Sequence, residues 1–82
     1  MVWNDPKIIP EEINKNSNGT HSIDVLCYFY DDDEHSIGWF NYIDLKWFFL
    51  CNQDYSNQNF KWRYFQNEID KINYEGKKRN RN

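Results

Sequence analysis

Residues 22–51 read SIDVLCYFYDDDEHSIGWFNYIDLKWFFLC, and this stretch decides the fold. It contains three runs rich in β-branched and aromatic residues, separated by polar residues that form turns, as in consecutive antiparallel strands. We therefore predict strands at about 22–30, 35–42 and 45–51. The four acids at 31–34 suit a solvated hairpin turn. Two hairpins in succession form a β-meander.

The residues after this stretch predict a fourth strand. Residues 60–65 read FKWRYF and alternate apolar with basic side chains until the last position, as a half-buried strand does. Trp62 and Phe65 also fit a heptad-like spacing with Ile69 and Ile72, so residues 57–75 as one longer helix is the alternative. We favour strand four followed by a helix.

The helix is predicted at about 68–75. Asn67 is placed to cap its first turn, and Gly76 is placed to end it. Phe65, Ile69 and Ile72 recur at helical spacing, so we expect this stripe to cover part of the second sheet face.

These elements define the fold class as α+β: an antiparallel four-stranded β-meander with a short C-terminal helix and an irregular N-terminal segment. At 82 residues the chain has room for one core only. We predict a single small domain over residues 1–76. Residues 77–82 contain no apolar side chain and are predicted to be a disordered basic tail.

Charge is unevenly distributed along the chain. Residues 1–74 hold six Lys and Arg against twelve Asp and Glu, and residues 75–82 hold four against one. An acidic body repels phosphate backbones, so nucleic acid is not the favoured partner. No apolar run is long enough to span a membrane and no secretory signal pattern is present, so we predict a cytoplasmic protein without a membrane partner.

The residues that carry catalytic or metal chemistry do not form a recognisable site. His21, Cys27, His35 and Cys51 share odd positions, but they lie six, eight and sixteen residues apart, unlike the close ligand pairs of structural zinc sites. The acids at 31–34 lack the twelve-residue ligand pattern of an EF-hand. No nucleophile motif is present. We predict no catalytic residue, no metal, no cofactor and no enzymatic activity.

Surplus aromatic surface suggests a binding role. A helix of eight residues spans about 12 Å, which is too short to cover a sheet of four strands. If the odd positions of the first strand form the core, we expect the even-numbered aromatic residues to share the opposite face and to bind a protein partner or a second copy: Tyr28, Tyr30, Phe40, Tyr42 and Phe48. The alternative is a single-stranded nucleic-acid-binding module, in which these rings stack on bases and the basic tail contacts phosphates.

A series of short motifs resembles a small family of unknown function found in phages and prophages, with the pattern W…LPEE…VLVY…GYY…W…HWMPLP. The matching residues in order are Trp3, Ile9-Pro10-Glu11-Glu12, Asp24-Val25-Leu26-Cys27-Tyr28, Gly38-Trp39-Phe40, Lys46-Trp47-Phe48 and Lys61-Trp62. Residues 14–21 lengthen one connection, and Arg63-Tyr64-Phe65 replaces the proline-containing ending. The resemblance implies a phage or mobile-element context and a shared fold, and it carries no mechanism. We therefore predict an accessory or protein-interaction module.

Overall fold

The computed structural model describes residues 3–50 and 59–79. It contains a four-stranded antiparallel sheet and one C-terminal helix, so the predicted α+β fold is confirmed. The sequence left a long helix as the alternative to a fourth strand at Trp62, and in the structure Trp62 lies in a strand. The strands are β1 (Val25–Phe29), β2 (Glu34–Asn41), β3 (Lys46–Phe49) and β4 (Lys61–Arg63), and the helix is α1 (Glu68–Arg79).

The strands lie in the order β3-β2-β1-β4. β1, β2 and β3 form a meander, and β4 returns to pair with β1 at the opposite edge, which is the Greek-key order. Asn4 extends this edge, because its backbone exchanges hydrogen bonds of 2.7 and 3.0 Å with the backbone of Trp62. The N-terminal segment and β4 are thus linked by backbone hydrogen bonds at one edge of the sheet.

β1 begins three residues later than predicted, at Val25, because a bulge interrupts its pairing with β2. Val25 pairs with Gly38, and His21 forms a bridge with Asn41. Three residues lie between His21 and Val25, whereas two lie between Gly38 and Asn41. The segment that leads into β1 therefore has one extra residue, which is a β-bulge. Ser22 is buried within this bulged region, and its Oγ accepts a 2.9 Å hydrogen bond from the Phe40 N–H.

Both hairpins have four-residue loops, at 30–33 and 42–45. The last residue of each loop is left-handed: φ is 52° at Asp33 and 55° at Leu45. Aspartate tolerates the left-handed backbone region, whereas the leucine side chain is sterically disfavoured there. Leu45 therefore ends the second turn, and β3 starts at Lys46 instead of the predicted position 45.

The register divides the side chains between two faces. The core face carries Val25, Cys27, Phe29, Ser36, Gly38, Phe40, Trp47, Phe49 and Trp62. The helix face carries Leu26, Tyr28, His35, Ile37, Trp39, Phe48, Lys61 and Arg63.

Aromatic rings fill the core face, and residues 5–10 cover it. Trp62 is 2% exposed, and its ring meets that of Trp47 at 6.0 Å. The two indole Nε1 groups donate to backbone carbonyl oxygens of the covering segment, Trp47 to Pro6 at 3.2 Å and Trp62 to Ile8 at 2.7 Å. The irregular N-terminal segment is therefore an integral layer of the fold.

α1 packs on the other face of the sheet through polar and aromatic contacts. Its first turn is capped as predicted, because the Asn67 Oδ1 accepts a hydrogen bond from the Asp70 N–H at 2.9 Å. Asp70 pairs with Arg63 at 3.1 Å, and the Tyr74 ring lies 5.5 Å from that of His35. Arg63 is almost buried, so the ion pair fixes which side of the helix faces the sheet.

The predicted apolar stripe of the helix does not cover the sheet. Ile69 is 70% exposed and Ile72 is 59% exposed. Asp70 and Tyr74, four positions apart on one side of the helix, face the sheet, so Ile69 and Ile72 lie on the opposite side. The prediction was wrong because the long-range pair between Arg63 and Asp70 set the rotation of the helix.

α1 also continues past Gly76 to Arg79, so residues 77–79 of the predicted disordered tail are helical. Lysine and arginine are good helix formers and are favoured near a helix C-terminus, which offsets the cost of one glycine. No helix among residues 3–50 and 59–79 combines the length and apolar character needed to cross a bilayer.

Candidate functional site

The five aromatic residues predicted to share a binding face do not all share it. The register places Phe40 on the core face, where it is 5% exposed, and places Tyr28 and Phe48 on the helix face. The expectation of one even-numbered face was wrong because each hairpin loop has an even number of residues. An odd position in one strand therefore pairs with an even position in the next.

Two of the predicted tyrosines hold the chain together through their hydroxyl groups. The Tyr28 Oη donates to the Asp33 Oδ1 at 2.7 Å, which closes the first hairpin, and this hydrogen bond raises the pKa of Tyr28. The Tyr42 Oη donates to the Pro10 carbonyl, and burial raises the pKa of Tyr42. Both hydroxyls are therefore occupied by partners within the chain.

Tyr30, directly after β1, and Phe48, on the edge strand β3, remain accessible. Tyr30 is 44% exposed, and the Lys61 Nζ lies 5.6 Å from its ring centroid. Phe48 is 39% exposed and lies on β3. Of the five predicted residues, Phe40 is therefore buried, and Tyr28 and Tyr42 form hydrogen bonds within the chain. Tyr30 and Phe48 are exposed.

Phe48 belongs to an apolar surface on the helix face that we call the open strip, formed by Trp39, Phe48 and Leu50. Trp39 and Phe48 are cross-strand partners, and their rings stack at 6.2 Å with an interplanar angle of 14°. Leu50 continues the same face, because its N–H donates to the Ile37 carbonyl at 2.8 Å. It is 53% exposed. The strip therefore combines a flat aromatic pair with an accessible aliphatic side chain.

The position of α1 explains why the open strip is accessible. The helix contacts Arg63 on β4, Asp24 before β1 and His35 at the start of β2. Trp39 and Phe48 lie toward the other end of β2 and on β3. A short helix anchored to the β4 side thus leaves the β3 side of this face exposed.

Trp39 and Leu50 were absent from the predicted set. A period-2 pattern shows which residues of one strand share a face, but it does not show which face of the next strand joins them. The signal that assigns Trp39 to the face of Tyr28 is the length of the acidic loop at 30–33. Counting that loop as four residues would have paired His35 with Tyr28, and counting the 42–45 loop as four would have paired Trp39 with Phe48.

The residues considered as metal ligands do not converge. His21 bridges to Asn41 and His35 pairs with Tyr28 on the helix face, whereas Cys27 is buried on the core face. Cys51 lies outside the described residues. Within the part of the chain that the structure describes, no three His, Cys, Asp or Glu side chains form a group that could hold a metal ion.

Comparison of the chain with protein-family models, curated proteins and solved structures gives no match. The resemblance to the phage-borne family therefore stays a prediction.

Proposed function

We propose that the protein is a non-catalytic interaction module, of phage or mobile-element origin, that binds another protein through the open strip. The observation that carries this proposal is the stacked pair of Trp39 and Phe48 on the part of the helix face that α1 leaves uncovered, with Leu50 beside it. The motif resemblance supports the proposed origin.

The open strip has the chemistry of an interface centre. Tryptophan is enriched among the residues that contribute most to binding, because a large rigid ring buries much apolar area at a small cost in conformational entropy. A stable interface buries roughly 800 Å² on each partner, so three side chains form its centre and need a polar rim. Because residues 1–74 hold twelve acids against six bases, the matching partner has an apolar centre and a basic rim.

Site-directed photo-crosslinking in the native host tests the proposal. A photoreactive phenylalanine analogue replaces Phe48, and in a control protein it replaces Ile43, which is 71% exposed and lies outside the strip. We expect one defined adduct with a second protein from position 48 and none from position 43. Adding Leu50→Lys abolishes the adduct. The same adducts from both positions, or an adduct that survives Leu50→Lys, would overturn the proposal.

Sedimentation equilibrium separates a different protein from a second copy as the occupant. We expect a monomer at all concentrations, since the proposed partner is another chain. A concentration-dependent dimer that Leu50→Lys disrupts and Ile43→Lys preserves would assign the strip to self-association and contradict the proposal.

The proposed origin has a separate test in the neighbouring genes. A phage or mobile-element context predicts that integrase, packaging or virion genes flank the coding sequence. A housekeeping operon in the same place across several genomes would argue against it.

A further inference from the structure

A recess at the β4 edge of the sheet carries chemistry that the open strip does not use. We call it the β4 cleft, and its lining includes Trp3, Lys7, Tyr30, Trp47, Phe60 and Lys61. Its volume is about 540 Å³, within the range of roughly 300 to 1,000 Å³ typical of small-ligand sites. It lies between residues 3–7 and β4, and Trp47 of β3 contributes to its lining from the core face.

Aromatic rings form much of the cleft surface. Trp47 and Phe60 meet edge to face at 5.2 Å, and Phe60 is 5% exposed, so this part is a fixed extension of the core. Tyr30 is 44% exposed, and its hydroxyl makes no hydrogen bond to any residue that the structure describes. The cleft therefore offers flat apolar surface together with one accessible phenol.

The cleft is also basic, on a protein whose body is acidic. Neither the Lys7 nor the Lys61 ammonium group pairs with a carboxylate of the described residues. Among the described residues, Asp5 is the only acid that lines the cleft, and its Oδ1 accepts a hydrogen bond from the Lys7 backbone N–H at 2.9 Å. The two unpaired ammonium groups at this recess are a local reversal of the negative charge of residues 1–74.

Arg63 packs behind Trp3 and supports the cleft wall. Its guanidinium carbon lies 5.3 Å from the Trp3 ring centroid, and its side chain is 9% exposed. Its Nη1 donates to the Asp70 Oδ2, whereas its buried Nε has no partner in the described part of the chain. The Asp70 carboxylate therefore compensates the charge of Arg63, and the guanidinium holds a ring of the cleft in place.

We propose that the β4 cleft binds a nucleoside phosphate, either as a free mononucleotide or as a unit of a single strand. A planar base matches the aromatic surface, and a phosphate matches the two unpaired lysines. A neutral aromatic ligand leaves both ammonium groups without a counterion, and an aliphatic anion leaves the rings uncovered. The nucleoside-phosphate class satisfies both features of the site.

Titration of the full chain with adenosine 5′-monophosphate, followed by tryptophan fluorescence, tests this binding. We expect saturable quenching that weakens as salt rises, and at least about tenfold weaker binding of adenosine because it lacks the charged group. Lys7→Ala and Lys61→Ala are each expected to weaken binding of the monophosphate about tenfold. Lys15→Ala is the matched control, because Lys15 is an exposed lysine on a short 3₁₀ turn away from the cleft.

A second arm distinguishes the two sources of the ligand. Oligodeoxyadenylate that binds more tightly than the monophosphate, and loses affinity in Lys61→Ala, identifies a single strand. Equal affinities identify the free nucleotide. Equal binding of adenosine and its monophosphate, no binding at low salt, or an equal loss in Lys15→Ala would overturn the proposal. The Leu50→Lys test of the open strip is unaffected by any of these results.

Discussion

The indole Nε1 of Trp62 donates a 2.7 Å hydrogen bond to the backbone carbonyl of Ile8, which lies 54 positions earlier in the chain. The same N–H lies 3.3 Å from the carbonyl oxygen of Asp5. One buried side chain on β4 therefore holds the segment that covers the core face.

Trp62→Phe is expected to loosen this cover. The substitution keeps a ring in the core but removes the donor and leaves a small cavity, so we expect the free energy of unfolding to fall by about 1 to 3 kcal/mol. Chemical denaturation measures the loss, and limited proteolysis within residues 3–10 should accelerate. Trp47→Phe is the control, since it removes a single 3.2 Å bond from a half-buried residue. Equal losses in the two variants would contradict a special role for Trp62.

Gly38→Ala is expected to overpack the core face. A Cβ at this position would lie 2.9 Å from the Cys27 Sγ and 3.0 Å from the Phe48 carbonyl oxygen. Overpacking of this kind costs about 1 to 3 kcal/mol, measurable as a shift of the denaturation midpoint. Cys27→Ala removes the sulfur, so the double variant should lose less stability than the sum of the single variants. Strict additivity would show that this contact does not cause the loss.

Leu45→Asn is expected to stabilise the protein. Leu45 has a φ of 55° and a side chain that is 71% exposed, so it carries backbone strain without making a core contact. Asparagine tolerates the left-handed region, and relief of the strain should raise the free energy of unfolding by about 1 kcal/mol. Ile43→Asn is the matched control, because Ile43 is equally exposed but has no positive φ. A gain of similar size in the control would point to the lost hydrophobic surface instead of the backbone.

Asp70→Asn is expected to remove a pH-dependent contribution to stability. The backbone N–H of Gln66, aided by Arg63, holds the pKa of Asp70 below its ordinary value of 3.8. The ionised carboxylate therefore stabilises the fold above that ordinary value, and this contribution is lost as pH falls through the lower folded-state pKa. Thermal unfolding across acidic and neutral pH should show the variant less stable at neutral pH and the two proteins converging in acid. A difference that stays constant with pH would disprove this role.

Ile69→Gln and Ile72→Gln are expected to leave stability within about 0.5 kcal/mol of the parent, because both side chains face solvent. Leu26→Ala is the contrasting variant, since Leu26 is fully buried on the helix face and its truncation should cost about 2 to 5 kcal/mol. Urea denaturation measures all three. A loss of more than about 1 kcal/mol in either glutamine variant would mean that the apolar stripe packs against the sheet.

The sequence predicts most of the fold where the signals are local. Runs of β-branched and aromatic residues located all four strands, and Asn67 marked the start of α1. These features depend on neighbouring residues, so one sequence is sufficient to find them. The order of the strands depends on the long connection between β3 and β4, and it could not be derived in the same way.

The candidate surface was harder to predict because it depends on relationships between elements. Placing Trp39 with Phe48 requires the hairpin register, and exposing Ile72 requires the ion pair between Arg63 and Asp70. The packing of residues 3–10 depends on contacts such as that of Trp62 with Ile8. None of these relationships leaves a periodic pattern in the chain, so composition and spacing reveal the aromatic surplus but not where it is exposed.

The hydrogen bond between Trp62 and Ile8 also sets an order of events during translation. At about 5 to 20 residues per second, the ribosome adds Trp62 about 0.7 to 2.6 s after Phe49, the last residue of β3. The first two hairpins form much faster than this, on a scale of about microseconds. The nascent meander therefore exposes its aromatic core face until β4 is synthesised, and transiently exposed apolar surface of this kind favours aggregation during folding.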